Sequence, residues 1–548
     1  MNFNDSKFAK LDNSNKIAVV GFVVGLLSLL VFNGGFNSLP TLIISFIIFL
    51  FTVILVIRFR YSKITVITIL LLILSVIYFA SSFMVSPVVT AFISSVIPAS
   101  LICFVTILAI LNKESKLFLF RLLTLIGVVT AIFGICLCFL PIEVPGGTID
   151  GRLMFPFQYA NTSGIWYLIV AILCWQTQNF KYRVASVLPI AALLLTKSGG
   201  AIAIFVIVAI IYIVRWFWFE KHERKFNILA ILFIVCSCAA GVIFALNNTE
   251  RIFQASQTFI ERFIQIFDGW NLLLTSPLIG VGPDQWQFIY PYIQSAQYTA
   301  SKIHCGYLQI ALDGGLIALA VFLIFVIYSV INLINNKKWT MLLCASVILV
   351  HSLIDFDFSY PFMMLLLFIF LDDKKFDIKF IVNLIITFIA LCFVVVGIYF
   401  SIQLNNVVNL PTKVNQSKEI KIDSQPEYIL NDVKASTYLT IVLSKAQMNQ
   451  EAYNLCLNTR YASSTQEVFV LDCLVKQQKF EEAKQFLDYI LSSQPYNVDL
   501  YENVYGYISE KNNSDMADVY NKCVEHSNNL IKLGFATHLS SQKQFDLL

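Results

Sequence analysis

Three segments combine ionisable and aromatic side chains in ways that can support chemistry. The first, residues 141–167, centres on Arg152, followed by Phe155, Phe157, Tyr159 and Trp166. A guanidinium can grip a phosphate bidentately while aromatic rings present flat faces to a sugar. The competing reading is an interfacial aromatic belt with an arginine among lipid headgroups. The second segment, residues 247–313, carries Arg262 on an amphipathic run with Phe263, Ile266, Trp270 and Leu273. Gly280-Val281-Gly282-Pro283 then signals a turn; no Gly-Lys-Ser/Thr follows, so it is not a phosphate loop. His304 comes shortly before the next apolar run, with Asp313 nine residues on. A histidine in a loop is either solvated or a general base, since its ordinary pKa lies near neutrality. The third segment is "HSLIDFDFSYP", residues 351–361. His351 and Asp355, four apart, would share a helix face near the end of an apolar run. Asp355 and Asp357 form Asp-x-Asp, which fits either a divalent cation or two solvated acids at a helix end; the expectation is no metal.

The elements that must position these groups follow from composition. Of 548 residues, 58% are hydrophobic and 13% charged, and the mean hydropathy is +0.74. Soluble domains are about 45–50% apolar and about 25% charged, which excludes a soluble enzyme and intrinsic disorder. A net charge of +4 is too small for nucleic-acid binding through bulk charge. Nine of the 12 cysteines fall at or before Cys392, mostly in apolar runs, where they act as small apolar side chains. Cys456, Cys473 and Cys523 lie in the polar tail, where one disulfide is possible and none is required.

Thirteen candidate membrane spans are read at 17–32, 41–57, 64–83, 88–111, 117–140, 162–177, 184–196, 201–219, 227–246, 314–332, 339–355, 359–371 and 381–402. With the N-terminus in the cytoplasm, the inner segments carry 20 Lys and Arg and the outer ones up to residue 402 carry five: Arg152, Lys197, Arg251, Arg262 and Lys302. This satisfies the positive-inside rule. It places the two longest loops, 141–161 and 247–313, outside. The tail then lies outside as well. Loop 247–313 is long for a connection, and such loops are functional or disordered; its aromatics argue against disorder. The expected architecture is all-α: a polytopic body over 1–402 with about 13 helices, and a small helical domain over 403–548. Helical apolar spacing marks 427–446, 465–479, 480–493 and 514–532 in that tail.

"FEEAKQFLDYILSSQP", residues 480–495, places Ala483, Phe486 and Leu487 on one face and ends at Pro495. It resembles the second helix of a tetratricopeptide repeat, although no clean 34-residue self-match accompanies it. Such stacks bind partner proteins.

Taken together, ordered pieces of the body resemble the O-antigen ligase/polymerase superfamily of bacterial membrane glycosyltransferases, which includes protein O-oligosaccharyltransferases. Arg152 with "QYANTSG" resembles an Arg followed by an Asn-containing span start, and Thr196-Lys197-Ser198-Gly199 resembles a turn bearing a basic residue. "ERFIQIFDGWNLLLTSPLIGVGPDQW" resembles a segment from an Arg through a Trp to Pro-Leu-x-Gly-x-Gly. "HCGYLQIALDGGL" resembles His-Asn-x-Tyr-Leu followed by Glu-x-Gly, with Cys305 in place of Asn and Asp313 in place of Glu. "HSLIDFDFSYP" resembles a later His-x-x-x-Asp segment.

The resemblance implies a glycosyltransferase-C-like fold in the bacterial cytoplasmic membrane. It implies a polyprenyl-diphosphate-linked glycan donor, chemistry on the extracytoplasmic face, and no metal, nucleotide or other cofactor. The acceptor would be a growing glycan, a lipid or a protein. In that frame Arg262 and Arg152, assisted by Lys197, would stabilise charge on the departing diphosphate. His304 would position or deprotonate the acceptor, and Asp313 would orient His304 if the chain folds back. Trp270, Tyr159, His351 and Asp355 would line the substrates. A lipid-linked glycan flippase or other transporter is the alternative. It would require ionisable groups deep within the spans, which are nearly absent at mid-depth.

Overall fold

The computed structural model describes residues 8, 11–84, 88–140, 144–177, 180–219, 249–371, 374–408, 430, 432–445, 448–511, 514–534 and 542–548. The span expected at 227–246, with the basic residues Lys221, Arg224 and Lys225, lies outside them. So do residues 141–143 and 247–248 of the two outer loops.

The chain is an all-α, multi-pass membrane protein. Among the described residues, six helices are long and apolar enough to cross a bilayer: Asn13–Val31, Ser38–Arg58, Val89–Ile110, Lys113–Phe139, Gly306–Asn335 and Phe380–Val408. Val66–Ser82, Gly199–Tyr212, Trp339–His351 and Pro361–Phe370 are shorter and equally apolar. The run expected at 88–111 is the membrane-length Val89–Ile110, built of the pieces Val88–Ser95, Ile97–Ser100 and Ile102–Ile110 around Pro98, whose ring removes a backbone donor.

Two compact units are present. One comprises Met1–Leu72, Pro98–Ser256 and Phe322–Val394; the other comprises Ile73–Ile97, Gln257–Val321 and Val395–Leu548.

In the first unit, Ala160–Gln176 is buried on every side from Ala160 to Cys174, and all ten residues of Pro361–Phe370 are buried. A helix apolar all round belongs in a core. Helices Lys113–Phe139, Val187–Thr196, Gly199–Phe219 and Trp339–His351 surround Ala160–Gln176. A two-stranded hairpin, Thr148–Ile149 with Arg152–Leu153, precedes it.

The second unit joins the end of the second outer loop to the tail. Loop residues Ile264, Leu273, Trp286, Ile303, Ala311 and Leu312 form one core. The tail has six helices among its described residues: Val433–Lys445, Asn449–Asn458, Ser464–Lys476, Phe480–Ser493, Val498–Lys511 and Ser514–Leu533. The first helix of each successive pair begins 31 and then 34 residues after the last. Ala483 and Leu487 are fully buried in the tail core, with Phe486 packed against it. Cys456, Cys473 and Cys523 are buried free thiols, so the possible disulfide is not formed.

Loop and tail are tied together within this unit. Tyr292 donates to the carbonyl of Ala462 at 2.6 Å and to Glu467 Oε1 at 3.2 Å. Gln294 Nε2 donates to the carbonyl of Tyr496 at 2.8 Å. Asp432 accepts from the Thr90 amide at 2.9 Å and its hydroxyl at 2.6 Å.

Candidate functional site

Two groups of polar side chains stand out, one in each unit.

In the second unit, helix Thr249–Thr275 carries Arg262, Gln265 and Asp268 at three-residue intervals. The face bearing Gln265 and Asp268 is buried. Gln265 meets His304: Nδ1 lies 2.7 Å from Oε1, and the His304 backbone N–H donates to the same oxygen at 3.4 Å. A backbone N–H can only donate, so the amide atom facing it is the oxygen. The neutral imidazole therefore carries its proton on Nδ1 and its lone pair on Nε2.

The loop that delivers His304 is braced from several directions. Asp268 Oδ2 accepts from the Ser295 amide at 3.0 Å and the Tyr298 hydroxyl at 2.8 Å. Burial pushes the Asp268 carboxyl above its usual range against the lowering effect of those bonds. Trp286 donates to the carbonyl of Ala300 at 3.0 Å, and Tyr290 stacks between Trp286 and Tyr298.

Asp313 reaches the same loop one residue before His304. Its Oδ1 accepts from Gln309 Nε2 at 2.8 Å, and Gln309 Oε1 accepts from the Ile303 amide at 3.2 Å. Asp313 also accepts from the Asp284 amide at 3.2 Å. The expected orientation of the His304 ring falls to Gln265, with Asp313 acting through Gln309 on the backbone. Lys302 pairs with Asp284. Burial alone would lower the Lys302 ammonium, but Asp284 and Asp313 beside it outweigh this and hold it above the usual lysine range.

The turn at 280–283 is held against the start of helix Gly306–Asn335. Val281 N donates to the carbonyl of Leu312 at 2.7 Å, and Leu316 N donates to that of Pro277 at 2.8 Å. That helix is kinked at Gly314 and Gly315.

Trp270, expected at a substrate surface, is 49% exposed. It lies five residues from Gln265, which turns it to the other side of the helix at about 100° per residue. Leu273 is buried. The apolar residues of this run thus divide between two faces.

In the first unit, Arg152 leaves the hairpin to donate through Nε to the carbonyl of Thr196 at 3.2 Å and through Nη2 to Asn161 Oδ1 at 3.3 Å. Asn161 Nδ2 donates to Asp355 Oδ2 at 2.8 Å and to Tyr159 OH at 2.9 Å, and Tyr159 OH donates to Asp355 Oδ1 at 3.0 Å. Asp355 therefore fixes the Asn161 amide with its oxygen toward Arg152. Lys197 caps helix Val187–Thr196 in the left-handed conformation, φ 50°, and its Nζ lies beside Gly151 of the hairpin turn.

His351 Nδ1 lies 2.5 Å from Asp357 Oδ2, while its Nε2 is 4.0 Å from Asp355. Asp357 also accepts from Thr162 Oγ1 at 2.8 Å. Both aspartates are wholly buried, which corrects the reading of solvated acids. The shared helix face is corrected too: the helix ends at His351, and Asp355 turns back to accept from the Phe356 amide at 2.9 Å. Phe157 and Trp166 are likewise buried, so they are core residues and not an interfacial belt. Tyr159 stacks on Phe356 with ring centroids 4.7 Å apart.

Sequence reasoning passed over Gln265, Asn161 and Gln309 as site residues. Neutral amides carry no charge signal, and only their three-dimensional partners reveal them. The i, i+3 spacing of Arg262 and Gln265 was the available hint.

Residues 184–323 match the family model described as O-antigen ligase. The match includes Lys197, Arg262, Gln265, His304 and Asp313; Arg152, Asn161, His351 and Asp355 lie outside it. No curated protein and no solved structure matches the chain.

Proposed function

On the premise that residues 184–323 carry the O-antigen ligase domain, which supports membership of the O-antigen ligase/polymerase superfamily, we propose that this protein transfers a glycan from a polyprenyl-diphosphate carrier to an acceptor hydroxyl. The transfer takes place on the outer face of the cytoplasmic membrane. The observation that carries the reading is the Gln265–His304 bond with Arg262 one turn away on the same helix. It supplies a base of defined tautomer and a permanent cation.

His304 Nε2 takes the proton of the acceptor hydroxyl. The acceptor oxygen attacks sugar C1, and the bond from C1 to the diphosphate oxygen breaks with its electron pair on the diphosphate. Arg262 stabilises that developing charge. In the other unit, Arg152 and Lys197 offer a separate cationic position for a phosphoryl group, with Arg152 pre-oriented by Asn161 and Thr196. Tyr159 and Asp355 act through Asn161.

The orientation rests on the excess of basic residues in the segments assigned to the cytoplasm. It puts both long loops and the tail outside. The recurrence of tail helix pairs at 31 and 34 residues supports a tetratricopeptide-like domain that docks a protein partner. The acceptor class, a glycan, a lipid or a protein, is what the product will identify.

The test uses full-length protein in nanodiscs with an undecaprenyl-diphosphate-linked glycan, host envelope extract as acceptor source, and EDTA. Release of undecaprenyl diphosphate by the wild type, lost in Arg262→Ala and His304→Ala, is expected. Release that survives both substitutions, or its absence with competent acceptors present, overturns the assignment.

A further inference from the structure

Phe259, Phe263, Phe267, Trp270 and Leu274 are each about half exposed, from 47% to 58%. At about 100° per residue, their spacing places all five within an arc of about 80° on helix Thr249–Thr275. Gln265 and Asp268 lie about 140–160° from the centre of that arc, and both are buried. The helix is therefore inverted here relative to a soluble one: Gln265 and Asp268 face the protein and an aromatic stripe faces outward.

The stripe does not stop at the helix end. Leu278 is 62% exposed, and the carbonyl of Pro277 before it accepts from Leu316 N. Leu316 and Ile317 are exposed in turn and open the outer face of Gly306–Asn335, a helix of membrane-crossing length. The stripe is thus continuous with a surface that lipid must cover.

We propose that residues 257–275 form an interfacial helix lying in the plane of the bilayer, its occupant being lipid. Phe259, Phe263, Phe267, Trp270 and Leu274 sit at the boundary of headgroups and acyl chains, where Phe and Trp are favoured. Arg262 lies about 100° from the centre of the stripe, at the border between the lipid face and the buried face. Lipid contact along the stripe then holds its guanidinium at the depth of phosphates. The lipid contact stands independently of the glycan-transfer reading; its use to meet a lipid-linked diphosphate rests on that reading.

The test is fluorescence quenching of full-length protein in nanodiscs made with lipids brominated either near the carbonyl or near the chain end. Subtracting the Trp270→Phe spectrum isolates Trp270. The expected difference emission is blue-shifted, quenched more by the shallow bromines than the deep ones, and little affected by aqueous iodide. Quenching by iodide without bromolipid quenching places the stripe in water. Protection from both places it against protein, a second copy or a partner. Either result overturns the proposal. Phe263→Trp in the Trp270→Phe background gives a second probe on the same arc, and it must show the same shallow quenching. Because the readout is depth and not turnover, its failure is separate from failure of the transfer assay.

Discussion

His304 receives two constraints from one atom of Gln265: the imidazole Nδ1 and the His304 backbone amide both meet Oε1. The contact fixes tautomer and ring orientation together, and it puts the lone pair of the neutral ring on Nε2.

Gln265 is accordingly a positioning residue, and its substitutions separate orientation from charge. Gln265→Leu removes the bond, worth about 1.5 kcal/mol, and is expected to lower kcat/KM about tenfold. Gln265→Glu restores an acceptor and adds a negative charge beside the imidazole, which raises the histidine pKa. The acidic limb of the pH–rate profile should move to higher pH in that variant alone. An unchanged profile in Gln265→Glu would sink the assigned contact.

Arg152 uses two different edges of its guanidinium, Nε to Thr196 and Nη2 to Asn161. An ammonium cannot reproduce that fork. Arg152→Lys should therefore behave nearly like Arg152→Ala, with donor affinity weakened about tenfold or more. Asn161→Asp should weaken donor binding as well, because it sets a second buried carboxylate where the amide now donates to Asp355. Equal affinity in Arg152→Lys and wild type would show that charge alone suffices.

Burial pushes the Glu467 carboxyl up to about 8, although Gln494 and Tyr292 donate to it and lower it. Its folded pKa lies above its unfolded value near 4.3. Its contribution is therefore full below the unfolded value and is lost as pH rises through the folded one. Glu467→Gln mimics the neutral form. The Tm difference between Glu467→Gln and wild type should be small at acidic pH and should grow in favour of the variant as pH rises toward 8. A difference independent of pH would contradict this.

Gly315 sits at φ 75° and ψ −179°, a region almost confined to glycine. A Cβ there would also lie well inside van der Waals contact with the carbonyl of Leu278. Gly315→Ala is expected to cost at least about 2 kcal/mol, seen as a lower apparent Tm in detergent. Wild-type stability would mean that the 277–283 segment can move away freely.

Much of the architecture was legible from composition and periodicity. Runs of apolar residues of bilayer length become helices because no other open structure satisfies the backbone in hydrocarbon. The spans at 17–32, 41–57 and 117–140 correspond to Asn13–Val31, Ser38–Arg58 and Lys113–Phe139 for that reason. Arg152, Arg262 and His304 were visible because charge outside a run of apolar residues is conspicuous. Hydropathy cannot tell lipid from protein surroundings. Pro361–Phe370 read as a short apolar span, and only the fold shows that protein encloses it on every side.

What the tertiary structure decided was partnership. Asp355 and Asp357 read alike in sequence, but one orients Asn161 and Tyr159 while the other pairs with His351. Gln265 meets a histidine 39 residues away, and no local pattern encodes that distance. The amphipathic run around Arg262 showed that two faces exist, but not which one is buried. That choice depends on the loop that closes over Gln265 and Asp268. The sequence alone determined which segments are apolar, basic or aromatic, because these are properties of residues. Tautomer, orientation and exposure are properties of neighbours, and only the folded chain supplies those.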